Sequence, residues 1–276
     1  MMLVAIITLI AWLVFLLSGL ANGLSNDNGS SLRKMDATGI VFQSDVRMFL
    51  HRSLLPAETV AQVAAIEGVG DATPIGHLTV TVLGSDRGDR VDATILAIDP
   101  SGFLAPDVSS GSPLAEAPEG GVVVDEEFKG HGYAIGDTLR VEPSGQEMII
   151  SGFTSGQKYN HLPVVFMLIP QWQAIKFPVP EEAGGLADPI SGVAIQGDGG
   201  ALERIAETIP GVESGTIQDA IEALPGYTSE MNTVRTILVF LFFIAALVMA
   251  AFFYVITLQK TNQFGVLKAL GARTRT

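Results

Sequence analysis

Two stretches without a single charged side chain decide what this sequence can fold into. Residues 1–24 (MMLVAIITLIAWLVFLLSGLANGL) are charge-free, and so are residues 236–259 (TILVFLFFIAALVMAAFFYVITLQ), between Arg235 and Lys260. A helix rises ~1.5 Å per residue, so each stretch covers roughly 36 Å, more than the ~30 Å hydrocarbon core of a bilayer. Both are read as transmembrane helices. The mean hydropathy of +0.40 over 276 residues, 48% of them hydrophobic, is higher than a soluble domain of this length needs. A cleaved signal peptide would carry a basic start, a shorter apolar run and a small-residue cleavage site; residues 1–24 have none of these, so the segment is expected to stay on the chain. Because the sequence opens on Met-Met within the span, a short basic cytoplasmic N-terminus is expected to precede it.

Charge then sets the topology. All 29 acidic residues fall between Asp27 and Glu230, whereas the tail 260–276 carries four basic residues and no acid. The twelve basic residues of the middle leave it at 12 − 29 = −17. Basic flanks stay in the cytoplasm, so the tail is inside, the middle is outside and the N-terminus is inside. A charge of −17 argues strongly against nucleic acid as a partner for the outer part. There is no cysteine, hence no disulfide, thiolate metal site or thiol nucleophile. About 210 residues suffice for an outer domain that holds itself together by its core.

Along the outer region, SNDNGSSLRK (25–34) reads as a polar bridge and Gly39–Gln43 as a strand. Pro56–Ile66 reads as a helix with Val60, Val63, Ala64 and Ile66 on its apolar face. Leu78–Leu83 and Val91–Ile98 form a hairpin around SDRGDR, and 99–121 is a Pro/Gly/Ser-rich loop. Further strands are expected at Gly121–Val124, Thr138–Val141, Met148–Ser151, Val164–Leu168 and Gly192–Gln196, with a helix near Ala201–Thr208. The fold class is α+β between two transmembrane helices. Ile66-Glu67-Gly68-Val69 is echoed by Ile209-Pro210-Gly211-Val212, each a helix end, a glycine and a new extended segment. Either this is a common connection, or two related halves flank an inserted β-rich unit at about 99–185. The resulting division is a first span at 1–24, an extracytoplasmic domain at 25–235, a second span at 236–259 and a cytoplasmic segment at 260–276.

No enzyme is visible. The chain lacks G-x-x-x-x-G-K-[ST], G-x-S-x-G and H-E-x-x-H, so it should not hydrolyse ATP itself. Gly130-His131-Gly132 with Gly136 reads as a turn before a strand. His51, His77, His131 and His161 are dispersed without metal-ligand spacing, and Asp125-Glu126-Glu127 reads as a solvated strand end.

The segment after the second span, QKTNQFGVLKALGA (259–272), has Phe264, Leu267 and Leu270 at three-residue steps among basic residues. Such an amphipathic helix suits either a partner groove or the membrane surface. The string F-G-V-L-K-A-L-G-A resembles the coupling segment of the FtsX-like permeases, the membrane subunits of MacB-type ABC systems. The resemblance covers the whole chain: span, outer domain, span, coupling segment. It implies that Phe264, Gly265, Leu267, Lys268 and Leu270 couple to a separate ATPase. Many members carry Glu where this chain has Gln263, which puts one docking contact in doubt. The family has four spans, so the sequence is expected to be part of a longer permease.

Within that family L-A-N-G-L-S-N-D-N (20–28) is most similar to the haem-exporting Hrt-type permeases. These imply a homodimer in the cell membrane that takes haem from the bilayer, with ATP used only by the partner subunit, no cofactor of its own and iron present only through haem. Haem asks for an apolar slot, an axial ligand and cations for two propionates. Two segments abutting the spans hold that inventory: Arg47-Met48-Phe49-Leu50-His51-Arg52, and Tyr227-Thr228-Ser229-Glu230-Met231 leading to Arg235. Met48, Glu230 and Met231 are the candidate ligands, Arg47 and Arg52 the propionate partners, and Phe49 and Tyr227 the aromatic walls. On a helix, Tyr227, Glu230, Met231 and Val234 share a face. The same residues could instead pack against core or lipid. The same architecture could export a lipid, lipoprotein or antimicrobial peptide, transmit force to cell-wall hydrolases without transport, or serve as an anchored sensor with no ATPase.

Overall fold

The computed structural model describes residues 2–84, 90–179 and 183–269. Contacts divide the chain into two units: Leu24–Thr228, and the remainder, up to Gly23 and from Ser229 onward.

Helix α1 (Met2–Arg33) runs past the apolar stretch. The polar bridge is therefore helical, and its polar groups are buried: Asn28, Ser30 and Ser31 are almost wholly enclosed. The backbone carbonyls of the segment and Ser30 find partners, whereas Ser31 Oγ is buried without one among the described residues. The amide N–H groups of Asn160 and His161 donate to the Asn28 and Asp27 carbonyls at 2.7 and 2.9 Å. The Lys158 N–H donates to Ser30 Oγ at 2.9 Å. The helix breaks at Gly29 (φ −145°, ψ 24°), where a β-carbon would lie 2.9 Å from Ile221 Cγ1.

The domain then runs β1 (Gly39–Gln43), β2 (Leu55–Pro56), α2 (Glu58–Ala64), β3 (Val69–Gly84) and β4 (Arg90–Ile98). Next come β5 (Ser110–Gly111), a 3₁₀ turn at Leu114–Glu116, β6 (Gly121–Asp125), α3 (Glu127–Gly130), β7 (Thr138–Glu142) and β8 (Glu147–Thr154). β9 (Lys158–Tyr159), β10 (Leu162–Leu168), α4 (Ile169–Lys176), β11 (Pro189–Ile190) and β12 (Gly192–Gly197) follow. α5 (Ala201–Thr208), β13 (Val212–Thr216), α6 (Ile217–Glu222) and α7 (Tyr227–Ala269) complete the chain. The fold is mixed α/β.

Two sub-structures share one strand. β13, β1, β12 and the first half of β3 form an antiparallel sheet in that order. With α2 and α5 it makes the split βαβ pattern, β1-α2-β3 and β12-α5-β13. Its core is Val41, Val63, Val193, Ile195, Ala201 and Ile205. α2 is shorter than expected because Pro56 pairs with Pro189 in the β2–β11 bridge rather than opening the helix. On α2 Val63 is buried, Val60 and Ile66 are partly so, and Ala64 is exposed.

From Gly76 onward β3 pairs with β4, β4 with β10, β10 with β6, β6 with β8, β8 with β7, and β7 again with β3. The ring closes into a six-stranded barrel filled by Val82, Ile95, Val122, Leu139, Ile150, Val165 and others. Each such buried aliphatic side chain stabilises by about 1.5–3 kcal/mol, which a domain without disulfides needs. The hairpin turn at 85–89 lies outside the described residues. Asp125, at the end of β6, is not solvated: it is 2% exposed, and its carboxylate accepts the Gln157 N–H at 2.6 Å and the Glu127 N–H at 3.0 Å. Burial raises its pKa despite those bonds and the Lys158 charge.

Among the described residues one helix, Tyr227–Leu258, is long and apolar enough to cross a membrane. It exposes Phe240, Phe242, Phe243 and Leu247. The backbone of α7 stays helical to Ala269, so Phe264, Gly265, Leu267 and Lys268 continue the spanning helix rather than starting a new one. Leu270 lies outside the described residues.

Candidate functional site

Between β1 and β2 the chain makes a compact turn-rich loop over residues 44–52. Gln43 and Ser53 close its neck, the Gln43 N–H donating to Ser53 Oγ at 2.8 Å and the Leu54 N–H to Gln43 Oε1 at 3.1 Å. Leu50, 1% exposed, anchors it in the core. Three non-glycine residues of the loop, Asp45 (φ 64°), Arg47 (φ 59°) and Met48 (φ 58°), are left-handed. Such a conformation costs about 1–3 kcal/mol per residue and persists only where the surroundings enforce it. Here the Met48 N–H donates to Glu213 Oε1 at 2.6 Å, fastening the loop to β13.

The loop presents a row of rings. Arg52 lies over Phe49, 5.3 Å from its centre. Phe49 stacks on His51 at 5.3 Å and 22°. His51 faces His77 of β3 at 6.4 Å, and His77 faces Tyr159 of β9 at 4.8 Å. The dispersed histidines of the sequence are thus not all apart in space, because the loop carries His51 onto β3. His77 is 2% exposed, and neither of its ring nitrogens has a hydrogen-bond partner. Burial pushes its pKa down to about 3, with the charges of Lys176 and His51 adding to the effect. Burial also lowers His51, helped by Arg52 and Lys176. The Lys176 ammonium donates to the His77 carbonyl at 3.3 Å and sits over Trp172 and Phe177 at 4.9 and 5.4 Å; burial lowers its pKa to about 8.

The other predicted residues distribute as follows. Arg47 and Arg52 are exposed, while Met48 and Phe49 are half-buried. All four share the loop, together with His51. Tyr227 is largely buried, and its phenol oxygen is engaged by Ser25 Oγ at 3.3 Å and by the Arg33 guanidinium at 3.5 Å. Glu230 and Met231 are partly buried on the next turn of α7, and with Tyr227 and Val234 they form the less exposed face expected of a helix. They belong to the other unit of the chain. Two clefts lie away from the ring row. One, of about 380 Å³, is lined by Ser31, Lys34, Asp107 and Gln157; the other, of about 660 Å³, lies beside Gln43, Pro56 and Ile209. Among the described residues no group of three His, Cys, Asp or Glu side chains could hold a metal ion.

The row is a run of aromatic rings, stacked at Phe49–His51 and tilted by 53° and 49° beyond, exposed at its His51 end and buried at His77 and Tyr159, with the cations of Arg52 and Lys176 beside it.

Residues 1–224 match the family described as the MacB-like periplasmic core domain. A Staphylococcus haemolyticus protein provisionally named hemin transport system permease protein HrtB is 26% identical over 272 residues, 98% of this chain and 72% of its own length. An uncharacterised ABC transporter permease of Mycobacterium tuberculosis is 25% identical over 269 residues, 97% of this chain and 71% of its own. Among solved structures, the periplasmic region of MacB from Actinobacillus actinomycetemcomitans is 12% identical, with a TM-score of 0.47 over 67% of this chain and 90% of that one. The extracellular domain of the ABC-type transporter YknZ from Gram-positive bacteria is 14% identical, with a TM-score of 0.46 over 65% of this chain and all of that one.

Proposed function

The chain belongs to the MacB-like periplasmic core domain family, and on that premise we propose that it is the permease half-unit of an ABC transporter that exports haem from the membrane to the outside. As a permease of this type it is a membrane protein with an extracytoplasmic domain. The observation that supports the cargo is that a relative provisionally named a hemin transport permease matches along 98% of the chain at 26% identity, outer domain included. The cation-flanked aromatic loop at 44–52, with a thioether at Met48, supports the same cargo chemically.

In this reading residues 1–24 and 236–259 both span the bilayer, with both ends cytoplasmic. Two copies of the chain work with two copies of an ATPase, and the permease carries no cofactor of its own. ATP-driven closure of the ATPase pushes on Phe264–Leu270. Because those residues continue the helix that spans, the push travels along one rigid element. Met48, Glu230 and Met231 offer iron ligands, with Arg47 and Arg52 for the propionates and Phe49 and Tyr227 as walls.

The test is a haem titration followed by Soret absorbance, on the permease purified in detergent with its ATPase. Wild type is run beside Met48→Ala and Glu230→Ala. A saturable shift of about one haem per dimer, weakened by either substitution, is the expected result. A shift indifferent to both keeps haem and discards these residues as ligands. No shift in a sample with active ATPase moves the cargo to lipid or peptide.

A further inference from the structure

We propose that the cleft between the end of α1 and the barrel binds a small cationic amphiphile, a primary ammonium on a short apolar body. Such a ligand is distinct from haem, and the site stands whether or not haem is the cargo.

The cleft holds about 380 Å³, within the usual range of small-molecule sites. Four parts of the chain wall it: the last turn of α1 with the residues after it, the loop 103–107 between β4 and β5, the segment 154–157 that joins β8 to β9, and Phe166 of β10. These walls are tied down. The Lys34 ammonium donates to the Ser155 carbonyl at 2.5 Å, and the Thr154 hydroxyl to the Asp107 carbonyl at 2.6 Å. Gln196 Nε2 donates to the Asp36 carbonyl at 2.7 Å. The cleft is therefore formed before any ligand arrives.

Two buried oxygens say what is missing from it. Ser31 and Gln157 are 1% and 5% exposed, and both line the cleft. Among the described residues neither Ser31 Oγ nor Gln157 Oε1 has a hydrogen-bond partner. The main chain of Gln157 is satisfied, its N–H donating to Asp125 Oδ2 at 2.6 Å and its carbonyl accepting the Val164 N–H at 3.0 Å. Only the side chain is left over. An orphaned polar group inside a fold is destabilising, and native proteins complete most such groups with a protein, water or ligand partner. An amide oxygen can only accept, so the occupant must bring a donor.

Charge and burial choose which donor. Asp36 and Asp107 stand exposed on the rim against the single cation of Lys34, which Ser155 already engages. Such a rim, on a strongly negative domain, draws in a cation and opposes an anion, the two propionates of haem included. Beneath it Met35, Leu104 and Phe166 are all buried and give apolar contact. An ammonium brings three N–H donors, and a short hydrocarbon body answers the apolar floor. An occupant touches α1 on one side and the β8–β9 segment on the other, so it fills the seam where that helix meets the barrel.

Isothermal titration of phenethylamine into the purified permease–ATPase complex in detergent tests the site. Wild type is expected to bind saturably, one amine per permease chain, and more weakly as salt is raised. Phenylacetate, the same ring on an anion, should not bind. Asp107→Asn, at an exposed position, should weaken binding about fivefold, and Ser31→Ala, which takes away one orphaned oxygen, about threefold. Wild type and variants are titrated in the same detergent, so uptake of the amine by the micelle cancels. No saturable heat in wild type would show that water meets the two oxygens and would overturn the site. Wild-type affinity in either variant, or equal affinity for phenylacetate, would overturn it as well. Haem binding is scored separately in the same sample, so the cargo reading fails or survives on its own.

Discussion

The sulfur of Met48 seats directly on Gly215: a β-carbon there would lie 2.7 Å from Sδ and 2.9 Å from Cε. A β-carbon at 215 therefore fits only if the flexible end of the Met48 side chain swings aside. Gly215→Ala should push that thioether outward and destabilise the domain by about 1 kcal/mol, the low end for overpacking, because the atoms that must move end a flexible side chain. Denaturant melts of the variant should show that loss, and haem titration should show weakened binding.

Acid should unfold the outer domain through His77. Its native pKa of about 3 lies below the ordinary 6.5, so the unfolded chain binds the extra proton first as pH falls. Stability is fully present above 6.5 and lost progressively toward 3, on the order of a few kcal/mol. His77→Phe should flatten that slope. Unfolding curves of both proteins between pH 7 and pH 4 measure it, and an equal slope in the variant would remove His77 from the acid response.

Tyr227 has a different role from a displayed ligand. Its phenol oxygen is within bonding reach of Ser25 and Arg33. Tyr227→Phe should cost about 1 kcal/mol of stability, the net worth of an ordinary hydrogen bond, and leave the haem Soret band where it was. A displaced Soret band would add the phenol to the ligand set.

Gly265 sits within α7, and proline there removes a helical hydrogen bond and clashes with the preceding turn, a penalty of about 3 kcal/mol. Gly265→Pro should abolish stimulation of the ATPase by cargo while haem binding stays intact. Turnover measured with and without haem decides; unchanged coupling would sink the assignment of Phe264–Leu270.

Much of the fold is legible in the amino-acid pattern because its strands are β-branched runs cut by glycine. Gly39–Gln43 and Ala201–Thr208 lie where local pattern places them, residue for residue. The first half of β3 is not legible: Val69–Ile75 carries Gly70, Asp71 and Pro74, poor strand residues, yet β12 pairs Asp71 and Pro74 and skips Gly70 at a bulge. α4 follows β10 directly, with no intervening loop to mark where the strand gives way to the helix. α6 did leave a local mark, Thr216 with Asp219 three residues on, whose reciprocal bonds cap the helix. The His51–His77 pair leaves none. It exists because a loop between β1 and β2 folds onto a strand formed later in the chain, and no local period encodes that meeting.

β3 carries its own consequence. Sixteen residues long, it supplies the edge of the open sheet with one half and a stave of the barrel with the other. No linker separates the two cores along this strand, only a continuous backbone. Loss of either sheet strips the other of a strand, so heat should melt the outer domain in a single cooperative transition. Mechanically the same strand is a shared spar, along which a pull on the open sheet reaches the barrel wall as tension in the peptide chain.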